Sequence, residues 1–136
     1  MLSLTKNKSF SLTAFILLFL FFLPFTIVAQ EVVEIQVAPN VLNLQNKGQV
    51  VTIHTDIPYW TVLGSSVALN GVEIDSWKAD AQGYFVAKFV MSAIKNLPLN
   101  IGEMNTLTLN GSKVDGETFT GSSEILVVNN IPNGRK

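Results

Sequence analysis

From Val32 onward the apolar side chains mostly alternate with polar ones instead of recurring every third or fourth residue, which points to strands half covered by a core. Val33, Ile35 and Val37 share one side, with Glu34 and Gln36 on the other. Val51, Ile53 and Thr55 face away from Val50, Thr52 and His54, and Leu107 and Leu109 turn inward against Thr106 and Thr108. Ile125 and Val127 form the inward pair of a strand over Phe119 to Val128, while Tyr84 to Met91, apolar apart from Lys88, reads as a central strand. Turn residues punctuate the pattern. Asn46-Lys47-Gly48 and Val114-Asp115-Gly116-Glu117 reverse the chain, and Asn70-Gly71 supplies the positive φ angles of a tight hairpin between Val67 and Ile74. Leu42 and Leu44 form a short element after Pro39-Asn40, and Ser92 to Leu97 reads as a helical turn stopped by Pro98. The expectation is an all-β sandwich of seven or eight short antiparallel strands. No long helical period supports a βαβ nucleotide-binding fold.

The N-terminus has a composition of its own. Met1 to Thr13 carries Lys6 and Lys8 as its charges, and Ala14 to Ala29 is uncharged and almost wholly apolar. This is the order of a secretory signal peptide, with cleavage expected after Ala29. The alternative is a retained anchor, but the 16-residue run is interrupted by Pro24 and falls short of the roughly 20 residues that span a hydrocarbon core. The domain expectation is a signal peptide over residues 1–29, one sandwich over 30–129 and a flexible tail over 130–136. The protein is then exported to an extracellular or periplasmic space, touching membrane through the signal segment alone.

Residues 30–136 hold 46 apolar residues in 107, and seven Lys and Arg against ten Asp and Glu. That is an ordinary globular composition, and it leaves no basic footprint for nucleic acid. The chain has no cysteine and one histidine. Disulfides, thiolate metal sites, a cysteine nucleophile and a two-histidine mechanism are all excluded.

Asp75 and Asp80, with Glu73 and Asp56 nearby, are the clustered carboxylates before the last hairpin. A glycosidase pair is conceivable there, but solvated charge at strand ends is the ordinary reading. A calcium site from Asp75, Asp80 and loop carbonyls lacks the D-x-D-x-D-G spacing. His54 is expected as an outward residue of its strand with no orienting partner. Ser65-Ser66 and Ser122-Ser123 lack the G-x-S-x-G elbow, and Asn110-Gly111-Ser112, formally a glycosylation sequon, reads as turn chemistry. The expectation is therefore no catalytic residue, no metal and no cofactor. Tyr59, Trp60, Trp77 and Tyr84 remain. Exposed rings stack against sugars, yet large aromatics in a small disulfide-free sandwich also fill the core, and the sequence favours packing. Tyr59, Trp60 and Trp77 are the candidate ligand-binding residues, and Trp60, following Pro58-Tyr59, is the member expected at the surface.

Several motifs fall in a familiar order: P-N-x-L-N-L at Pro39 to Leu44, Lys47-Gly48, the strand Gln49 to Thr55, and S-x-x-L-N-G at Ser66 to Gly71. They are followed by A-K-F at Ala87 to Phe89 and L-T-L-N-G-x-x-x-D-G-E-T-F-T-G-S at Leu107 to Ser122. In these the chain resembles an immunoglobulin-like β-sandwich accessory module of secreted bacterial and archaeal proteins. Val90 departs from the acidic or amide residue that usually follows the K-F. The resemblance implies a binding or structural role at the cell surface or in an extracellular assembly, toward a protein or polysaccharide surface. A carbohydrate-binding module using the aromatic residues is the alternative.

Overall fold

A computed structural model describes residues 30–131, so the signal-peptide reading and the last five residues of the chain lie outside it. In chain order the strands are β1 (Glu31–Val32), β2 (Ile35–Ala38), β3 (Val41–Asn43), β4 (Val50–Pro58), β5 (Val62–Leu69), β6 (Val72–Glu73), β7 (Ser76–Ala79), β8 (Tyr84–Val90), β9 (Met104–Lys113) and β10 (Thr118–Val128). A 3-10 turn over Tyr59–Thr61 joins β4 to β5, and one short helix, α1 (Met91–Lys95), follows β8. Two sheets result. One runs β1-β10-β9-β5-β6 with β3 also on β10, and the other runs β2-β4-β8-β7.

The alternation places the core as expected. Phe85, Phe89, Phe119, Ile53, Leu69, Leu107, Leu109 and Ile125 are fully buried between the sheets, with Leu42, Val51, Ile94 and Val127 around them. Each such side chain stabilises the fold by about 1.5–3 kcal/mol through removal from water. Thr55 and Asn105 are the buried polar side chains among the described residues. Thr55 Oγ1 donates to the Phe85 carbonyl at 2.6 Å. Asn105 accepts from the Asn100 amide at 2.7 Å and donates to the Asn100 and Glu103 carbonyls at 2.9 Å, which pins the loop after α1. The Asn70-Gly71 turn forms as read, with both φ angles positive at 46° and 82°.

The strand count and directions need correction. The described residues contain ten strands, and β1 and β3 both run parallel to β10. The N-terminal segment lies along β10, crosses to pair antiparallel with β4 as β2, and returns to β10 as β3. Two short parallel stretches arise because one segment serves both sheets. The sequon is also corrected: Asn110 lies within β9 rather than in a turn. Gly111 beside it is inward, where a β-carbon would stand 2.6 Å from the Phe119 ring. At the C-terminus, Asn129 and Asn130 are tied rather than free. Asn43 exchanges two hydrogen bonds with the Asn130 backbone, and Gln45 Nε2 donates to Asn129 Oδ1 at 2.7 Å.

Candidate functional site

The four aromatics fall in different environments. Pro58 and the hydrogen bond from the Tyr59 amide to the Gly83 carbonyl (2.9 Å) set the turn after β4 beside the β7–β8 loop. The Thr61 hydroxyl donates to the Pro58 carbonyl at 2.7 Å, and the Val114 amide donates to the Thr61 carbonyl at 2.9 Å. The turn is thus braced on both sides. Its Tyr59 ring stacks on buried Phe85 with centroids 6.3 Å apart. Trp60 projects away from the protein at 76% exposure.

Trp77 has a packing role. It pairs with inward Ala87, and its indole lies over Gly64 of β5, so that a β-carbon there would overlap the ring. Gly64 opens a wide bulge in β5, where the register with β9 jumps between Leu63 and Ala68. Ser66 closes the bulge, its Oγ donating to the Leu63 carbonyl at 2.6 Å and accepting the Ser112 amide at 2.8 Å. Trp77 therefore seals one side of the sandwich while remaining 41% exposed. Among the described residues, the aromatic pair in stacking range is Tyr59 with Phe85, so the four rings do not form a joint stack.

Tyr84, which pairs with Pro58 just before the turn, lines a groove of about 810 Å³ together with Glu34, His54, Asp56, Asp80 and Gln82. Two of its acids have structural work. Asp56 Oδ1 accepts the Glu34 amide at 3.0 Å, tying the crossover between β1 and β2 to β4. Asp80 Oδ1 accepts the Gln82 and Tyr84 amides, both at 2.9 Å, shaping the β7–β8 turn. Asp75 lies at the far end of β7 from Asp80, about 17 Å of extended chain away. The sequence pairing of those two carboxylates is not realised. His54 is exposed on the outward face of β4, opposite Val86. Among the described residues no group of three or more histidine or carboxylate side chains has the geometry to hold a metal.

Sequence reasoning missed this groove because its walls come from distant segments, β2 and β10 above all. One local signal was present. Gly121 interrupts the apolar side of β10, and a β-carbon there would come within 2.7 Å of the Val33 carbonyl and the Ile35 side chain. A glycine inside a strand pattern marks such a close backbone approach.

At the same end as the Trp60 turn, Lys113 binds Glu31 in an ion pair and lies 3.8 Å from Glu117. The hydrogen bond to Glu31 raises the lysine above its ordinary pKa, with Glu117 and Asp115 adding to the effect and desolvation opposing it. The pair fastens β1 to the β9–β10 hairpin. No helix among the described residues is long and apolar enough to cross a membrane. Comparisons of the chain with protein-family models, with curated proteins and with solved structures gave no match.

Proposed function

We propose that the protein is a secreted, non-enzymatic sandwich module of the immunoglobulin-like type that acts by surface recognition, at a cell surface or within an extracellular assembly. The signal-like order of residues 1–29 supports export. The strand order supports the immunoglobulin-like reading: β2-β4-β8-β7 and β10-β9-β5-β6 correspond to the A-B-E-D and G-F-C-C′ sheets of that arrangement.

The observation that carries the recognition reading is Trp60. An indole at 76% exposure, on a turn braced by backbone hydrogen bonds and with no buried residue of its own, costs hydration without supporting the core. Rigid display of an aromatic face is what a recognition surface requires, since little conformational freedom is lost on binding. The same observation favours a polysaccharide as the ligand class, because a sugar ring stacks on such a face.

Trp60→Ala is the test. Retention on insoluble polysaccharides, compared with the unsubstituted protein, should fall at least about tenfold while the unfolding free energy stays within about 0.5 kcal/mol. A loss of several kcal/mol would identify the ring as packing. Retention unchanged by the substitution would remove Trp60 from the recognition surface.

A further inference from the structure

We propose that the outer edge of β10 between Thr120 and Leu126 is a strand-addition site for a short extended peptide bearing lysine or arginine. β1 covers that edge at Phe119 and Thr120, and β3 covers it from Leu126 to Val128. Between them, among the described residues, β10 pairs with β9 alone.

Two hydrogen bonds fix which groups face outward there. The Val33 amide donates to the Thr120 carbonyl at 2.9 Å, and the Leu126 amide donates to the Asn40 carbonyl at 3.2 Å. Strand alternation then turns the N–H and C=O of Ser122 and Glu124 to the same edge. An unpaired edge of this kind is a template for an added strand. Gly121 to Ile125 span about 17 Å, room for roughly five extended residues.

The surroundings select the occupant. Grooves of about 810 and 470 Å³ run along this edge and meet at Gln36. Glu34, Asp56 and Asp80 line the first and Glu124 the second, with no lysine or arginine in either lining. Cationic side chains alternating along an extended backbone complement both features. A second copy of this chain does not. Its own edge carries the same acids, and β1 and β3 block the two ends of the gap against a long folded strand. Trp60 lines neither groove, so peptide capture here and polysaccharide retention at the turn can each fail alone.

Titration of isotope-labelled protein with acetyl-Val-Lys-Val-Lys-Val-amide tests the assignment. The amide resonances of Ser122 and Glu124 should shift with saturation by about 1 mM peptide. Affinity should drop at least about tenfold for the same peptide with glutamate in place of lysine, and for one N-methylated at alternate residues, which cannot donate to the edge. The Glu34→Lys, Glu124→Lys double variant should bind the lysine peptide about tenfold more weakly. Equal binding of the N-methylated peptide, shifts that spare Ser122 and Glu124, or no saturation by that concentration would each overturn the proposal.

Discussion

Single residues here are decided by what lies across the sandwich rather than beside them in the chain. Gly64 is a glycine because Trp77, from the other sheet, occupies the volume its side chain would need. The contact also explains how an edge-strand tryptophan with 41% exposure serves the core. Gly64→Ala should therefore displace the indole and cost about 1–3 kcal/mol, the usual penalty of overfilling a packed site. Chemical denaturation of the variant checks this. A change under about 0.5 kcal/mol would mean that Trp77 swings aside freely. The sequence favoured packing over display for the aromatics, but Tyr59 and Trp77, although they meet Phe85 and Gly64, stay 38% and 41% exposed and do not fill the core. Trp60 stands apart, as its place in the loop after Pro58 suggested.

Elements were legible where a side chain's face alone decides the matter. Period two identified β4, β9 and β10 because burial on one face selects apolar residues there, with β8 legible instead as a nearly continuous apolar run. It failed for β7, whose four residues are all exposed and show no alternation. It also could not show that β1 and β3 lie along β10 while β2 joins β4, since alternation names a face and never a partner. The two residues of β1 have a ladder of only two pairs, and the Glu31 to Lys113 ion pair adds a further tie to the β9–β10 hairpin. Lys113 is raised in the folded protein, chiefly by its hydrogen bond to Glu31. Its contribution is thus fully present below the ordinary lysine value of 10.5 and is lost as pH rises through the higher folded pKa. The melting temperature should accordingly fall more steeply above that pH in the unsubstituted protein than in Lys113→Met. Added salt should narrow the difference between the two. Parallel melting curves across the alkaline range would show that the pair does not hold β1.

At the scale of the whole molecule, stability is unevenly spread, and the spread matters for the seam along β10. A domain near 100 residues is stable by about 5–15 kcal/mol in total. Here the three fully buried phenylalanines, Phe85, Phe89 and Phe119, sit on β8 and β10, where they join the sheets into one core. β1 and β6, of two residues each, contribute almost none of that burial. Local opening is expected where backbone hydrogen bonds are few and exposed. Native-state hydrogen exchange should therefore separate two levels. Amides that link β4 to β8 and β9 to β10 should exchange only through global unfolding, at the full stability of the domain. Those of β1 and Val33 should open several kcal/mol earlier, uncovering Thr120 and lengthening the free edge of β10 at its upper end. A peptide bound at Ser122 and Glu124 would then slow exchange at those two amides first, leaving the global level raised only by its own binding free energy. If β1 instead exchanges with the core at a single level, the N-terminal crossover is an integral part of the sandwich, and the gap on β10 has a fixed length.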